Sequence, residues 1–220
     1  MRRLLCGGRN SAITISAMAD NLETIKFYYD YKSPCTYLAF DPALDLERTH
    51  RVRLTFTPHE LNVRGAYGGD LDHRRERDWY KVRYLYADAR RFAKERGIII
   101  RGPLKIFDSR LALTSGIFAD RAGRFREYSR RVFERFFLRE LDIENLDALA
   151  AVIAESGMDA AAFRHFVAGE GPTALAEAFA EGDRNGIFGV PTMLVAGEPF
   201  WGNDRVEWLI RKLDAMGLRR

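Results

Sequence analysis

The sequence predicts a mixed α/β fold in which a β-α-β unit near the N-terminus and a β-β-α unit near the C-terminus enclose a long helical segment. Residues 24–31 (TIKFYYDY) are rich in strand-forming side chains, and residues 52–57 alternate apolar and polar side chains until Pro58 ends the run. Residues 34–49 lie between these runs and carry apolar side chains at helical spacing. The chain is therefore predicted to open as strand, helix, strand.

The second unit closes the chain. Residues 191–196 (PTMLVA) predict a strand, Gly197-Glu198 a tight turn and residues 199–201 a short second strand. Residues 204–216 predict an amphipathic helix, because four apolar residues share one face: Val206, Leu209, Ile210 and Leu213. We therefore expect an antiparallel hairpin followed by a helix.

Residues 70–188, between the two units, are almost wholly helical in pattern. Asp159 and Thr173 are predicted N-caps, and Gly157 and Gly171 are predicted breaks. Two sets of apolar residues repeat at helical spacing: Val132, Phe133, Phe136 and Phe137, then Leu146, Leu149, Ala150 and Ile153. A four-stranded βαβ plus ββα framework is the thioredoxin arrangement, so we expect a thioredoxin-like fold with a helical insertion at about 70–188.

Composition limits the possible functions. At 220 residues, with 47% hydrophobic and 30% charged residues, the chain fits one globular domain. The net charge is +4, but three arginines and no acid lie in residues 1–17, so a nucleic-acid partner is not implied. Cys6 and Cys35 cannot build a disulfide framework, and no Cys/His cluster has the spacing of metal ligands. No run approaches the roughly 20 apolar residues of a membrane span. We expect a cytoplasmic protein that binds neither a metal nor a membrane.

Residues 1–17 are a separate case. They begin with two arginines but contain no apolar run of the length that a signal peptide requires. We expect a disordered extension or a misassigned start, with Met18 as the better beginning and residues 18–220 as the domain. An organelle-targeting role remains an alternative, because the segment contains Arg and Ser and lacks acids.

Ser33-Pro34 lies where the first strand gives way to the helical pattern. Serine is a preferred N-cap, and proline suits the first helical position because the N–H that it lacks would be unpaired there anyway. Such a helix start stabilises an anion, including a thiolate, through its unpaired N–H groups and the helix dipole. Val190-Pro191-Thr192 opens a second apolar run far downstream, and we expect the two segments to form the active site. An ordinary cap and an ordinary strand start are the alternatives.

Three stretches of the chain resemble those of a known family. They are FYYDYKSPCTYLAF, the run GRFREYSRRVFERFF with the later LDI and ESGMDAAAF, and GIFGVPTMLVAGEPFWGNDR. Together, over about residues 24–216, they resemble the 2-hydroxychromene-2-carboxylate isomerases and kappa-class glutathione transferases, which are relatives of the DsbA-type disulfide oxidoreductases. The resemblance implies a DsbA-like thioredoxin fold and glutathione as the cofactor.

The resemblance also implies roles for single residues. Ser33 replaces the first cysteine of the oxidoreductases' Cys-x-x-Cys and would be the catalytic residue. Its hydroxyl would hydrogen-bond the glutathione sulfur and lower a thiol pKa that is normally about 8.5. Val190 and Pro191 match the family's cis-proline pair, in which the Val190 backbone would pair with the cysteinyl part of glutathione like an added strand.

Three further residues match family positions that bind glutathione. Asn203 and Asp204 would hold its γ-glutamyl group, although Asp204 with Glu207 also has the spacing of a capping box. Lys81, three residues before Tyr84 on a predicted helix, would contact a charged end of glutathione, although a lone lysine is most often solvated.

Two positions depart from the family pattern. Asp70 stands where the kappa-class pattern has an asparagine. Cys35 stands where an aromatic residue is usual, and it is expected to form part of the pocket wall or to be a small buried hydrophobe. Tyr29, Tyr31 and Trp201 are candidates to line a pocket for an aromatic substrate, with core packing as the default.

The resemblance thus implies a glutathione-dependent isomerase or transferase that acts on an apolar, aromatic small molecule, as in aromatic catabolism, with a homodimer as a further expectation. In the isomerase, the thiolate adds to the conjugated substrate, a bond rotates and glutathione is expelled. The alternative is a thiol-disulfide oxidoreductase, although Ser33 and Thr36 occupy both expected cysteine positions and leave Cys35 for monothiol chemistry. A non-catalytic thiol-binding protein is the third alternative.

Overall fold

A computed structural model describes residues 22–67 and 75–220, so the expectations for residues 1–17 and Asp70 lie outside the described residues. The described residues form a four-stranded sheet in the order β2-β1-β3-β4. Its strands are β1 (Glu23–Tyr29), β2 (Val52–Pro58), β3 (Thr192–Val195) and β4 (Glu198–Trp201). β1 pairs in parallel with β2 and antiparallel with β3, and β3 pairs antiparallel with β4. This topology confirms the predicted thioredoxin-like fold.

Apart from a short helix at Val63–Tyr67, which was not predicted, the helices lie in segments that were predicted to be helical. α1 (Pro34–Thr49) connects β1 to β2, and α9 (Val206–Ala215) follows β4 after a short 3-10 turn at Asn203–Arg205. Seven helices lie between β2 and β3 in the described residues: α2 (Val63–Tyr67), α3 (Glu76–Glu95), α4 (Arg110–Arg121), α5 (Phe125–Phe137), α6 (Leu146–Glu155), α7 (Ala160–Ala168) and α8 (Gly171–Arg184). Within the described residues, no helix combines the length and the apolar character that a membrane crossing requires.

Aromatic packing holds the helical insertion against α1. The predicted apolar face of α5 is fully inside, because Val132, Phe133, Phe136 and Phe137 are all buried. Tyr37 of α1 stacks on Phe133 and Phe137, with ring centroids 5.4 and 5.5 Å apart. Each buried aromatic side chain contributes about 1.5–3 kcal/mol through apolar burial, so these contacts fix α1 and its N-terminal end.

Three local predictions have different outcomes. Asp159 caps α7 as predicted and accepts hydrogen bonds from the backbone N–H groups of Ala161 and Ala162. The predicted cap at Thr173 is wrong, because α8 already begins at Gly171 and Pro172 occupies its first turn. The hairpin turn lies one residue earlier than predicted. Ala196 and Gly197 are its central residues, with φ of 48° and 78°, as a two-residue hairpin turn of this type requires.

The sheet register determines where the two predicted site segments meet. Tyr28 near the end of β1 pairs with Thr192 at the start of β3. Because the two strands are antiparallel, the residues that follow β1 and those that precede β3 lie at the same edge of the sheet. The Ser-Pro and Val-Pro segments are therefore neighbours although about 150 residues separate them in the chain.

Candidate functional site

Ser33 caps α1 and also contacts the opposite segment. Its Oγ accepts a hydrogen bond from the Thr36 N–H at 3.1 Å, and Pro34 is the first helical residue, which confirms the predicted N-cap. The same Oγ donates to the Val190 carbonyl oxygen at 3.3 Å. The hydroxyl thus joins a helix N-terminus, where anions are stabilised, to the Val-Pro segment.

The Val190-Pro191 peptide bond is cis, as the family resemblance implies. Both residues are buried, and the Pro191 carbonyl accepts a hydrogen bond from the Gly202 N–H at 2.9 Å. This bond places the turn that contains Asn203 and Asp204 beside the Val-Pro segment. The structure therefore brings five of the predicted site positions to one sheet edge: Ser33, Val190, Pro191, Asn203 and Asp204.

A cleft of about 480 Å³ lies beside this edge, between α3 and the start of α1. We call it the polar cleft. It brings Lys81 and Asn203, two of the predicted glutathione-binding residues, together with Cys35. The Lys81 side chain is half exposed, and its Nζ lies 3.7 Å from an Asp78 carboxylate oxygen. The remaining lining residues are Tyr80, Tyr84, Leu85, Asp88 and Ala89.

Asp204 lies next to this cleft in the 3-10 turn. It pairs with Arg205 at 3.0 Å and is half exposed. The capping-box interpretation is wrong, because α9 begins at Val206 and its N-cap position, Arg205, makes no side-chain cap bond. Gly202, at φ 119°, starts the turn that places Asp204 ahead of the helix. The Asp204 carboxylate is therefore not used in a cap.

Cys35 is part of the polar cleft wall. Burial raises the pKa of its thiol to about 11, and the nearby Asp204 and Asp88 carboxylates add to this effect. The thiol therefore stays protonated at neutral pH, and a protonated thiol is a poor nucleophile. This environment disfavours monothiol redox chemistry at Cys35.

The polar cleft has groups that fit glutathione, a molecule with two carboxylates, one ammonium group and one thiol. Lys81 in the cleft offers a cation, and Asp204 beside the cleft offers an anion. The Asn203 Nδ2 is buried without a hydrogen-bond partner among the described residues. Because a buried unpaired donor is costly, this amide is available to donate to a ligand oxygen or to a water molecule.

A second cleft, of about 470 Å³, lies on the other side of α3, and we call it the apolar cleft. Lys32 and Pro34 bring the active-site segment to its wall, and Leu85 lines both clefts. Apolar and aromatic side chains form most of the surface: Leu61, Val63, Trp79, Val82, Tyr86, Pro103, Leu104, Ile106, Phe107 and Phe136.

All charged side chains that line the apolar cleft, among the described residues, are cations: Lys32, Arg83, Arg90, Lys105 and Arg139. Arg90 and Arg139 are oriented by Nε hydrogen bonds to the Ile100 and Gly102 carbonyls. Apolar walls with positive charge suit an aromatic ligand with an anionic group. This cleft was not predicted from the sequence, although the aromatic and basic residues interspersed between 79 and 90 were a usable signal.

Some predicted residues lie elsewhere. Ser33, Val190 and Pro191 are buried and line neither cleft, so a sulfur atom reaches Ser33 only when covering side chains move. Tyr29 and Tyr31 are core residues, at most 1% exposed, which confirms the default expectation. Trp201 is 52% exposed and packs edge-on against Phe188 at 4.9 Å rather than in the core.

A larger groove, of about 710 Å³, lies between α4 and α8. It is lined by Arg110, Leu175, Phe179 and neighbouring residues, and by none of the predicted site residues. We place the site at the two clefts beside α1 because the helix N-terminus, the buried amide and the cations lie there.

Comparison with known proteins agrees with this architecture. A 2-hydroxychromene-2-carboxylate isomerase of Sphingobium xenophagum is 26% identical over 190 residues, 85% of this chain and 96% of the relative. The solved structure of a 2-hydroxychromene-2-carboxylate isomerase superposes with a TM-score of 0.72 at 25% identity, covering 88% of this chain and 95% of that one. The structure of a probable DsbA oxidoreductase from Streptomyces coelicolor gives a TM-score of 0.70 at 16% identity, with 90% and 92% covered, and so shows the shared fold alone. The model of the DSBA-like thioredoxin domain matches residues 24–214, and the chain belongs to that family.

Proposed function

We propose that the chain is a glutathione-dependent isomerase or transferase that acts on an apolar, aromatic small molecule bearing an anionic group. One observation carries the proposal. The Ser33 hydroxyl, at a helix N-terminus, donates a hydrogen bond to the Val190 carbonyl of a cis-proline segment. The neighbouring residues Cys35 and Pro34 line the polar cleft and the apolar cleft, respectively.

The polar cleft is the proposed glutathione site. Lys81 would bind a glutathione carboxylate, Asp204 the γ-glutamyl ammonium group and Asn203 a γ-glutamyl oxygen. Val190 would offer its backbone to the cysteinyl part, as an added strand does. The Ser33 hydroxyl would exchange its long bond to the Val190 oxygen for a bond to sulfur. Bound glutathione would supply a thiolate that adds to a conjugated double bond, permits rotation about it and leaves again.

In this proposal the protein stabilises the negative charge on the glutathione sulfur and binds the two reactants side by side. The α1 N-terminus and the Ser33 hydroxyl stabilise negative charge on sulfur, and this lowers the thiol pKa. The apolar cleft would bind the aromatic rings with the acid group toward its cations, and it excludes water from the reacting bond. The name of the relatives fits this site, because a 2-hydroxychromene-2-carboxylate opens to an aryl-conjugated ketone that bears a carboxylate.

A thiol-disulfide oxidoreductase is the second candidate, supported by the oxidoreductase members of the shared fold. It requires a reactive cysteine, and Cys35, the free cysteine of the described residues, has a raised thiol pKa. A non-catalytic thiol-binding protein would keep the polar cleft without turnover. The isomerase or transferase is preferred because the apolar cleft provides a place for a second reactant.

The test compares two reactions in three proteins. Wild type, Ser33→Ala and Cys35→Ala are assayed for isomerisation of 2-hydroxychromene-2-carboxylate with and without glutathione, and for reduction of insulin disulfides. We expect isomerisation that needs glutathione, falls about 100-fold in Ser33→Ala and is largely kept in Cys35→Ala. Disulfide reduction that survives Ser33→Ala but is lost in Cys35→Ala would favour the oxidoreductase. Saturable glutathione binding without turnover of any aromatic compound would favour the binding protein.

A further inference from the structure

Lys32 is a buried lysine in the turn before the active-site serine. Its side chain is 7% exposed, although lysine is among the residue types that are least often buried. It lines the apolar cleft together with Pro34, and Ser33 lies between these two residues in the chain. Its ammonium group thus combines burial and charge at the wall of the apolar cleft, on the residue that precedes Ser33.

The neighbouring Asp30 does not need this ammonium group for its hydrogen bonds. The Asp30 carboxylate is fully buried and accepts hydrogen bonds from the Lys32 N–H at 3.0 Å, the Leu61 N–H at 2.7 Å and the Ser109 hydroxyl at 3.0 Å. The Lys32 Nζ lies 3.6 Å from the nearest Asp30 oxygen, which is beyond hydrogen-bond distance. Lys32 therefore balances the charge of Asp30 without being its donor.

Glu60 accepts only one of the hydrogen bonds that the Lys32 ammonium group can donate. One Glu60 carboxylate oxygen accepts a hydrogen bond from the Lys32 Nζ at 3.2 Å, and the other accepts one from the Arg110 Nε at 3.1 Å. An ammonium group has three N–H donors. Among the described residues, the bond to Glu60 is the one side-chain hydrogen bond of Lys32, so two donors remain beside the apolar cleft.

We infer that Lys32 is a second catalytic residue, which binds the carbonyl oxygen of a conjugated substrate in the apolar cleft. This inference rests on the proposed function. As the sulfur bonds to the β-carbon, the π pair of the C=C bond shifts to form a double bond between the α-carbon and the carbonyl carbon, and the carbonyl π pair moves onto oxygen. Both pairs return when the carbon–sulfur bond breaks. No proton, oxidant or reductant is consumed. An ammonium group in a site with little solvent stabilises the charge that develops on this oxygen.

A spectroscopic test uses the glutathione-free protein and benzylideneacetone, a conjugated aryl ketone without a carboxylate. Hydrogen bonding to the carbonyl polarises the conjugated system and shifts its ultraviolet absorption to longer wavelength. We expect this shift in wild-type protein saturated with the ketone, and we expect it to be absent in Lys32→Met. Glu60→Gln is the matched control, because it frees the ammonium group and is expected to keep or increase the shift.

A double variant separates this role from a structural one. Lys32→Met with Glu60→Gln removes one charge of each sign, so the network stays balanced, and we again expect no shift. With glutathione present, Lys32→Met is expected to isomerise about 100-fold more slowly while its glutathione affinity stays unchanged.

The outcomes also separate the inference from the proposed function. A wild-type shift that persists in the double variant, or wild-type protein that does not bind benzylideneacetone at millimolar concentration, overturns the role of Lys32. If isomerisation depends on glutathione but the shift persists in the double variant, the role of Lys32 is refuted and the proposed function is not. A shift that depends on Lys32 in a protein that binds no glutathione refutes the proposed function alone.

Discussion

Ser33→Ala removes a helix cap and the proposed thiol partner together, and the two losses are measured separately. The alanine leaves the Thr36 N–H without its acceptor, which costs about 1 kcal/mol, as for other lost N-caps. It also leaves the Val190 carbonyl without its donor, which adds about 0.5–1 kcal/mol because the lost bond is long and uncharged. For a chain of this size, the resulting loss of about 1.5–2 kcal/mol lowers the melting temperature by roughly 3–8 °C.

Ser33→Ala should also change the pKa of the thiol of bound glutathione. A hydrogen bond to a charged group contributes about 1.5–3 kcal/mol. Because one pKa unit corresponds to about 1.4 kcal/mol, Ser33→Ala should raise the pKa of the bound thiol by about one to two units. The measurement is the ultraviolet absorbance of the thiolate in the complex, recorded against pH at saturating glutathione.

Ser156→Ala is the matched control. Ser156 is also buried, and its hydroxyl donates to the Val152 carbonyl at 2.8 Å, far from both clefts in the chain. We expect a loss of stability similar to that of Ser33→Ala with no change in the thiol titration. If Ser33→Ala also leaves the titration unchanged, the α1 N-terminus alone stabilises the thiolate and the argument for the hydroxyl is refuted.

Three other predictions test the site and the stability of the fold. Lys81→Met should weaken glutathione binding a few-fold and make it less sensitive to salt, as expected for an exposed charge contact, whereas Lys94→Met on the same helix should not. The Cys35 thiol, with its pKa raised to about 11, should react slowly with a thiol-specific reagent at neutral pH and faster as the pH approaches 11; fast labelling at neutral pH would contradict its buried environment. The hydrogen bond from Arg219 lowers the pKa of Asp214 from 3.8 to about 2, so Asp214 adds stability above pH 3.8 that is lost as the pH falls toward 2. Asp214→Asn should therefore flatten the acid end of the stability curve, and an unchanged curve would show that this pair contributes nothing.

The elements that the sequence predicts correctly are those with local causes. Ser33 and Pro34 fix the start of α1 because capping and the proline ring act within one turn. The buried face of α5 follows from helical periodicity, and the sheet order follows from the βαβ and ββα units. The cap predicted at Thr173 and the capping box weighed as an alternative at Asp204 are both wrong, because spacing alone does not show where a helix begins. Pro172, in the first turn of α8, and Gly202, in the turn that precedes α9, determine where these two helices begin.

The clefts depend on contacts between distant parts of the chain. The apolar cleft joins Pro34 to α3 and to residues 102–107, and no local pattern shows that these segments meet. The burial of Lys32 has the same origin, since its partners Asp30 and Glu60 become neighbours only when β1 and β2 pair. The family resemblance supplied the candidate glutathione residues because they lie in short, contiguous stretches of sequence. The residues that line the apolar cleft come from several separate segments, so no such stretch identifies them.

The most direct test of the proposed glutathione site is a crystal structure of the full chain with glutathione. We predict that the sulfur lies within hydrogen-bond distance of the Ser33 Oγ and that the cysteinyl backbone pairs with Val190. The charged ends of glutathione should lie at Lys81 and Asp204, with the apolar cleft still open beside the sulfur. A sulfur bonded to Cys35, or glutathione bound away from the α1 N-terminus, would contradict it.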